Sequence, residues 1–290
     1  MNVRPFTEDD APIVAALISR DEEVFYGRPS QMTAADILRT QHWFTEMSIY
    51  EEEGRVIATA AYGMHGDAAN VRGIVGEKGR GIGTLIAERG EEFAREHGAA
   101  KIHAGFAEPD TAARRLFESR GYREVRRFYE MAIVLQEEPS APALPDDLVL
   151  DEVRDGEERA FYDALNAAFQ DHWEWHPMPF EQWIELRRGQ HHDEHGPLWF
   201  VVRDGNEFAA LTRNEVAMGG GYVGAIGVRS AWRGRGLAKV LLARTFAEFR
   251  RRGMPRVSLD VDTQNATGAT QLYERVGMHV ESCGVVLEKS

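Results

Sequence analysis

Apolar positions along this chain alternate between two periods, and the order of the periods is written twice. Val3 to Leu17 (VRPFTEDDAPIVAAL) reads as a short strand, an acidic turn and a helix, and Val149 to Leu165 (VLDEVRDGEERAFYDAL) repeats that order. Ser48 to Gly63 alternates on either side of Gly54, and Trp199 to Thr212 alternates on either side of Asp204-Gly205, so each predicts a hairpin. A 3.6-residue period follows each hairpin. Ile82, Leu85, Ile86 and Phe93 fall on one helical face; Leu237, Leu241, Leu242, Phe246 and Phe249 span a broader one. Gly98 and Gly253 stand where C-terminal helix glycines belong. Each half then predicts a strand (Lys101 to Phe106; Val257 to Asp262), a short helix broken by glycine (Arg114 to Tyr122; Thr270 to Met278) and a last strand (Val125 to Leu135; His279 to Glu288).

Between the halves, Gln136 to Asp147 (QEEPSAPALPDD) has prolines, small residues and acids but no apolar period, and predicts a linker. The expected organisation is therefore one α+β unit used twice: a domain over 1–135, a linker over 136–147 and a domain over 148–290.

Composition narrows the function classes. The chain has 290 residues, of which 43% are hydrophobic and 28% charged, enough for two ordinary cores. A formal net charge of -13 leaves no electrostatic footprint for nucleic acid or an anionic membrane. One cysteine, Cys283, excludes an intrachain disulfide, and no run reaches the ~20 apolar residues that span a bilayer. The expectation is a cytoplasmic protein without nucleic-acid or membrane partners, either monomer or homodimer.

Against this acidic background two basic glycine turns stand out. Trp232 to Leu242 (WRGRGLAKVLL) and Lys78 to Ile86 (KGRGIGTLI) each join a strand to a helix, and Gly236 repeats Gly81 at an offset of 155 (236 − 81). The first amides of a helix lack internal partners and lie at the positive end of its dipole. Glycines let backbone approach a ligand and adopt positive φ, and successive amides then form an anion-binding nest. Arg229, Arg233, Arg235 and Lys239 surround the second turn. The chemistry suits a phosphate or pyrophosphate, although a tight strand-to-helix turn alone would also use such glycines. Neither the GxxxxGK[ST] loop nor the GxGxxG dinucleotide fingerprint is present at this turn.

Arg233-Gly234-Arg235-Gly236-Leu237-Ala238 resembles the [RQ]-x-x-G-x-[GA] acyl-CoA signature of the GCN5-related N-acetyltransferases (GNAT), and Asn265 to Met278 (NATGATQLYERVGM) resembles the segment of that family carrying an asparagine, a helix and a tyrosine. The first half resembles the same fold over Val3 to Leu135, and the tandem layout is similar to that of mycothiol synthases. The resemblance implies an αβα sandwich in each half, a mixed and mostly antiparallel sheet flanked by helices. It also implies acetyl-CoA as cosubstrate and transfer of acetyl to the primary amine of a small molecule. Tyr273 would protonate the leaving sulfur. Ile226, Gly227, Val228, Arg233, Gly234, Arg235, Gly236, Leu237, Ala238 and Asn265 would hold the cosubstrate, with the Val228 amide at the oxyanion. No metal is implied.

The halves differ where that chemistry sits. The first has Phe117 for Tyr273, Lys78 for the signature arginine, Pro109 or Asp110 for Asn265, and a shortened strand NVRGIVGEK. The second half is expected to be catalytic and the first degenerate, while Gly79, Arg80, Gly81 and Gly83 keep a nest able to hold a CoA. A general base is less defined. Mycothiol synthases place a glutamate early in the strand before the loop, where this chain has Tyr222; Glu215, His172 and Glu174 are the candidates here. The aromatic Asp171 to Trp183 segment suits an ammonium-binding wall or a satellite core; His191 to His195 (HHDEH) and Glu51 to Glu53 read as solvated. Tyr273 as a mere packing residue, a non-catalytic CoA-binding or regulatory protein, and a peptide or protein N-acetyltransferase remain alternatives.

Overall fold

A computed structural model describes all residues except 138–141, 188–189 and 266–267, together with the side chain of His192. Part of the expected linker therefore lies outside the described residues. In chain order the elements are β1 (Asn2–Pro5), α1 (Ala11–Tyr26), α2 (Ala34–Thr40), β2 (Glu46–Glu52), β3 (Arg55–His65), β4 (Ala68–Val75), α3 (Ile82–Glu96), β5 (Lys101–Ala107), α4 (Thr111–Ser119) and β6 (Arg123–Val134). The same order returns with β7 (Val149–Glu152), α5 (Glu158–Phe169), α6 (Phe180–Arg187), the short β8 (His192–Asp193) and β9 (Gly196–Pro197), β10 (Trp199–Asp204), β11 (Glu207–Ala217), β12 (Gly220–Val228), α7 (Leu237–Arg251), β13 (Arg256–Asp262), α8 (Ala269–Arg275) and β14 (His279–Lys289).

Two compact units result, and their boundaries differ from the expected 1–135 and 148–290. The first comprises Met1–Glu130, Asp262–Gln264 and Val280–Ser290; the second comprises Met131–Val261 and Asn265–His279. The last strand β14 belongs to the first unit, while only the end of β6, from Met131, belongs to the second. β14 runs antiparallel to β5 from Gly284↔Ala107 to Lys289↔Ile102, and the first sheet is ordered β1-β2-β3-β4-β5-β14. Val285 and Leu287 enter the core with Ala87, Ala104, Phe117 and Tyr122. Polar contacts reinforce the placement: the Tyr26 hydroxyl donates to the Cys283 carbonyl at 2.6 Å, and Lys289 reaches Glu91 at 3.0 Å. In the second unit β7, β10, β11, β12 and β13 follow in order, with the end of β6 beside β13. Both sheets are mixed and mostly antiparallel, with the parallel steps at β4–β5 and β12–β13.

The helices pack as their periods require, with one correction. Leu237, Leu241, Leu242, Phe246 and Phe249 of α7 are all buried. In α3, Ile82, Ile86 and Phe93 are buried, but Leu85 is 41% exposed. At 100° per residue, Leu85 stands a quarter turn off the line from Ile86 to Phe93. The hairpin expected at Gly54 turns at Glu53 (φ 50) and Gly54 (φ 74), which matches strand twist with left-handed residues at both corners. Glu51 and Glu52 are not a solvated tip: they end β2 and pair with Arg4 and Arg80. The His191 to His195 stretch is also less solvated than expected. His191 is buried with Nε2 2.9 Å from Asp155, and Asp193 pairs at 2.6 Å with Arg252, whose side chain is fully buried.

A chain ending at Met278 should lose the first unit selectively. Burying Val285, Val286 and Leu287 contributes about 5–9 kcal/mol at ~1.5–3 per side chain, comparable to a whole domain's stability. Amide protection over β2–β5 is expected to collapse on truncation; protection equal to that of the full chain would contradict the placement of β14 in the first unit.

Candidate active site

The second glycine turn is built as an open nest. β12 ends at Val228, a 3-10 turn covers Ser230–Trp232, and Gly236 precedes α7. Gly234 and Gly236 have φ of 80 and 79, and a Cβ at either would meet nothing within 4 Å. The Leu237 and Ala238 amides start the helix and have no partner inside it. Backbone donors, positive φ and open space are what a diphosphate group requires.

Two of the expected phosphate cations are engaged within the protein. Arg233 donates from Nε to the Val228 carbonyl at 3.1 Å and from Nη2 to the Ala168 carbonyl at 3.4 Å, and lies 3.5 Å from Asp171. Arg235 makes two contacts to Asp147, at 2.6 and 2.8 Å. Arg233 therefore fastens the turn to the end of α5. Gly227 serves the same approach, since a Cβ there would lie 2.8 Å from Ala168 and 3.0 Å from Phe169. Ile226 and Val228 turn their side chains into the core with Leu237 and Leu241, which leaves only their backbone for a ligand.

Strand β12 carries the distinctive geometry. Its register with β11 shifts between Arg213↔Ala225 and Asn214↔Val223, so Gly224 is an extra residue. Such bulges re-aim a strand and concentrate beside active sites. Before it, Gly221 faces Phe249 of α7; beyond it, Gly227 faces α5. The bulge is clamped: Arg213 Nη2 donates to the Gly224 carbonyl at 3.1 Å, and Glu215 holds Arg213 at 3.2 Å. A Cβ on Gly224 would lie 2.6 Å from that guanidinium. Past this point the sheet opens. β12 pairs with β13 only at Gly221↔Val257 and Tyr222↔Ser258.

Tyr222 meets Asp260 there, its hydroxyl donating to Oδ2 at 2.7 Å. Burial, then the Asp260 charge, pushes the Tyr222 phenol well above its ordinary value, so it stays protonated. Tyr273, in α8, is 6% exposed, and burial alone raises its phenol. It too stays protonated at neutral pH. Asn265 lies in the turn before α8, its carbonyl accepting from Gly268 at 3.4 Å. His172 and Glu174 are on the segment after α5: His172 packs 4.3 Å from the Phe169 ring, and Glu174 (φ 52) lies 3.4 Å from His176. Trp183 of that segment stacks with Phe161 and packs at a tilt against Trp199, so a satellite core does account for this tryptophan. Asp260 and Arg213 were not singled out from the sequence. The one trace was alternation in Val257 to Asp262, which puts Ser258 and Asp260 on one face.

In the first unit the equivalent turn lines a cavity of ≈ 230 Å³ with Gly79, Gly81, Gly83, Gly105, Phe106 and Phe117. Phe117 thus occupies a cavity wall at the repeat position of Tyr273. Here β3 and β4 pair from Ala58↔Val75 to His65↔Ala68 without a bulge, and β4 stays parallel to β5 through Arg72↔Gly105. Arg80 is paired with Glu52 and Glu77. Lys78 bonds Asp110 at 2.8 Å, with Asp21 at 3.9 Å and the Phe25 ring centroid at 4.0 Å. Asp110 also caps α4, accepting from Ala112 and Ala113. Among the described residues of the second unit, Asp155, Glu158 and His191 converge within 4.8 Å.

A mixed sheet used twice, each time with a glycine nest at a helix start, and in the second unit with a bulged strand and an opened parallel step, is the fold of an acetyltransferase. The model of the Acetyltransferase (GNAT) family matches residues 14–122 and 157–278, and the chain belongs to that family. It is similar to a mycothiol acetyltransferase of Thermobifida fusca, 30% identical over 255 residues, spanning 79% of this chain and 77% of the relative. A GCN5-related N-acetyltransferase from Sphaerobacter thermophilus superposes with a TM-score of 0.85 at 31% identity, covering 99% of this chain and 95% of that one. A tandem GNAT protein from the clavulanic acid pathway shares the fold at 15% identity (TM-score 0.75, 99% and 98% covered). Among the described residues no helix is long and apolar enough to cross a membrane.

Asp21 supplies a pH test of the first cavity's wall. Burial pushes its carboxyl up to about 6, opposed by Lys78 and aided by Asp110. The raised value favours the protonated folded state, so stability is full below the unfolded value and falls as pH rises through about 6. Asp21→Asn should match the parent's Tm at pH 4 and exceed it above pH 6.5. Equal Tm values at both would show that no buried charge is formed there.

Proposed function

We propose that the second unit transfers acetyl from acetyl-CoA to a primary amine of a small molecule, with Tyr273 as general acid. The observation that carries this reading is the conjunction of bulge, opened strand pair and nest in that unit, which also holds a tyrosine whose phenol burial keeps protonated. Acetyl-CoA supplies an activated thioester. Its diphosphate fits the amides of Gly234 to Ala238, and its pantetheine arm would run along the β12 edge that β13 leaves after Tyr222. The amide of Val228 would face the developing oxyanion. The amine nitrogen attacks the carbonyl carbon, the C–S bond breaks, and Tyr273 gives its proton to sulfur.

The first unit is read as non-catalytic: Phe117 has no proton to give, and β4 has neither bulge nor early divergence. Its cavity and three glycines support a retained acyl-CoA site. The domains as proposed remain one functional GNAT repeat on either side of 136–147, the first completed by β14. The protein would act in the cytoplasm as monomer or homodimer.

Tyr273→Phe should lower kcat by about 10²–10⁴-fold with little change in KM; unchanged kcat would remove the acid role. Calorimetric titration with acetyl-CoA should find binding in the second unit that Ala238→Leu abolishes. A second site lost in Gly83→Leu would establish the first cavity as an acyl-CoA site, and one site unaffected by Gly83→Leu would refute it. No saturable binding at all would sink the acetyltransferase reading.

A further inference from the structure

The proposed reaction needs a group to take the proton of the attacking ammonium. Resting on that reading, we propose that Asp260 is this proton acceptor, and that Glu215 is a positioning residue for the strand bulge. Tyr222 pairs with Ser258 at the last hydrogen-bonded position of β12 and β13. Asp260 stands two residues further on, the same face of the strand and about 7 Å along it. That places it level with Gly224, across the gap where the strands have parted. Val228 lies four residues, about 13 Å, further along β12, so Asp260 takes the ammonium proton through bridging water as the acceptor enters past this carboxylate toward the thioester. Tyr222 donates to Asp260 Oδ2, which directs the carboxylate and stabilises it as an anion.

Glu215 has a different engagement. It is opposite Tyr222 in the β11–β12 register, but it grips Arg213, and Arg213 in turn satisfies the carbonyl that Gly224 withdraws from the ladder. A carboxylate tied to a guanidinium is a poor base, because accepting a proton gives up the ion pair. Tyr222 occupies the position where the sequence would have wanted an acid, and its partner on the neighbouring strand provides that acid instead.

The step balances without a further reactant. The ammonium gives one proton to Asp260, and the nitrogen lone pair then forms the C–N bond. As the C–S bond breaks, sulfur takes the Tyr273 proton. The second nitrogen proton restores the Tyr273 phenol, and Asp260 releases its proton to solvent.

The test is a pH profile of kcat/KM, measured as CoA thiol release with acetyl-CoA and the best acceptor from an amino sugar, a polyamine and an α-amino acid. Asp260→Asn should fall about 10²–10⁴-fold at pH 7 and regain activity steeply toward pH 10, where the free amine deprotonates by itself. Asp260→Glu should restore part of the neutral-pH rate. Glu215→Gln should keep the wild-type profile shape while raising the KM for acetyl-CoA, because the bulge shapes that groove. Tyr222→Phe should retain the limb but displace it. Loss of the limb in Glu215→Gln with Asp260→Asn unchanged would overturn the assignment. A wild-type chain that releases no CoA with any amine would instead reject the acetyltransferase reading, so the two failures are distinguishable. A folded Asp260→Asn chain, checked by its Tm and acetyl-CoA binding, removes misfolding as an explanation.

Discussion

The second unit depends on one extra residue in one strand. Gly224 has no counterpart in β11, so its carbonyl leaves the ladder and must find another donor. Arg213 supplies it, and Glu215 keeps Arg213 in place. This satisfies the buried polar groups while turning β12 over: Gly221 packs on α7 before the bulge, and Gly227 packs on α5 after it. A strand that changes face cannot remain flush with a regular parallel neighbour. β12 accordingly meets β13 at two positions before the bulge and at none beyond Tyr222. A side chain at 224 would meet the guanidinium, which would have to swing aside and give up its bond to the Gly224 carbonyl.

The first unit shows the same framework without that constraint. β3 and β4 run in step for eight residues, and β4 holds β5 for five. The nest glycines survive, with Gly79 and Gly81 at positive φ, but Lys78 and Arg80 are bound to carboxylates of their own unit. The repeat thus has a cavity and its glycines but neither the bulge nor the early divergence of the second unit. One fold can carry these features separately, because they draw on different residues.

Much of this was legible in the sequence because it is local. Hairpin turns, the α7 face and the glycine nests depend on residues within a few positions of each other, and the family resemblance rests on such short segments. The placement of β14 in the first unit was not legible. Val285, Val286 and Leu287 announce a buried strand, but nothing in them names β5 as the partner, and a tandem repeat offers two equivalent edges. Leu85 was misread because one apolar residue a quarter turn away still looks like part of a broad stripe. The bulge was hidden in GGGYVGAIG, where several glycines compete for the role and only register decides.

Asp260 illustrates the deeper limit. Reading β12 alone, the strand lacks an acid, and the search moves to residues adjacent in sequence, such as Glu215 or the Asp171 to Trp183 segment. A parallel sheet offers another route, because a carboxylate on the neighbouring strand can serve the same space when the two strands stand in register. Tyr222 and Asp260 are 38 residues apart yet directly bonded. The large aromatic on β12 reaches across the gap that its own strand's divergence creates, and the short acid on β13 stays close to its backbone. Exchanging which strand carries the acid leaves the charge in the groove while altering the shape of the wall that an acceptor meets. Selectivity for the acceptor would then be set by the Tyr222 ring as much as by the carboxylate, since a rigid aromatic excludes bulk that a glutamate would yield to. The choice of substrate would thus be tied to the same bulge that would place the thioester.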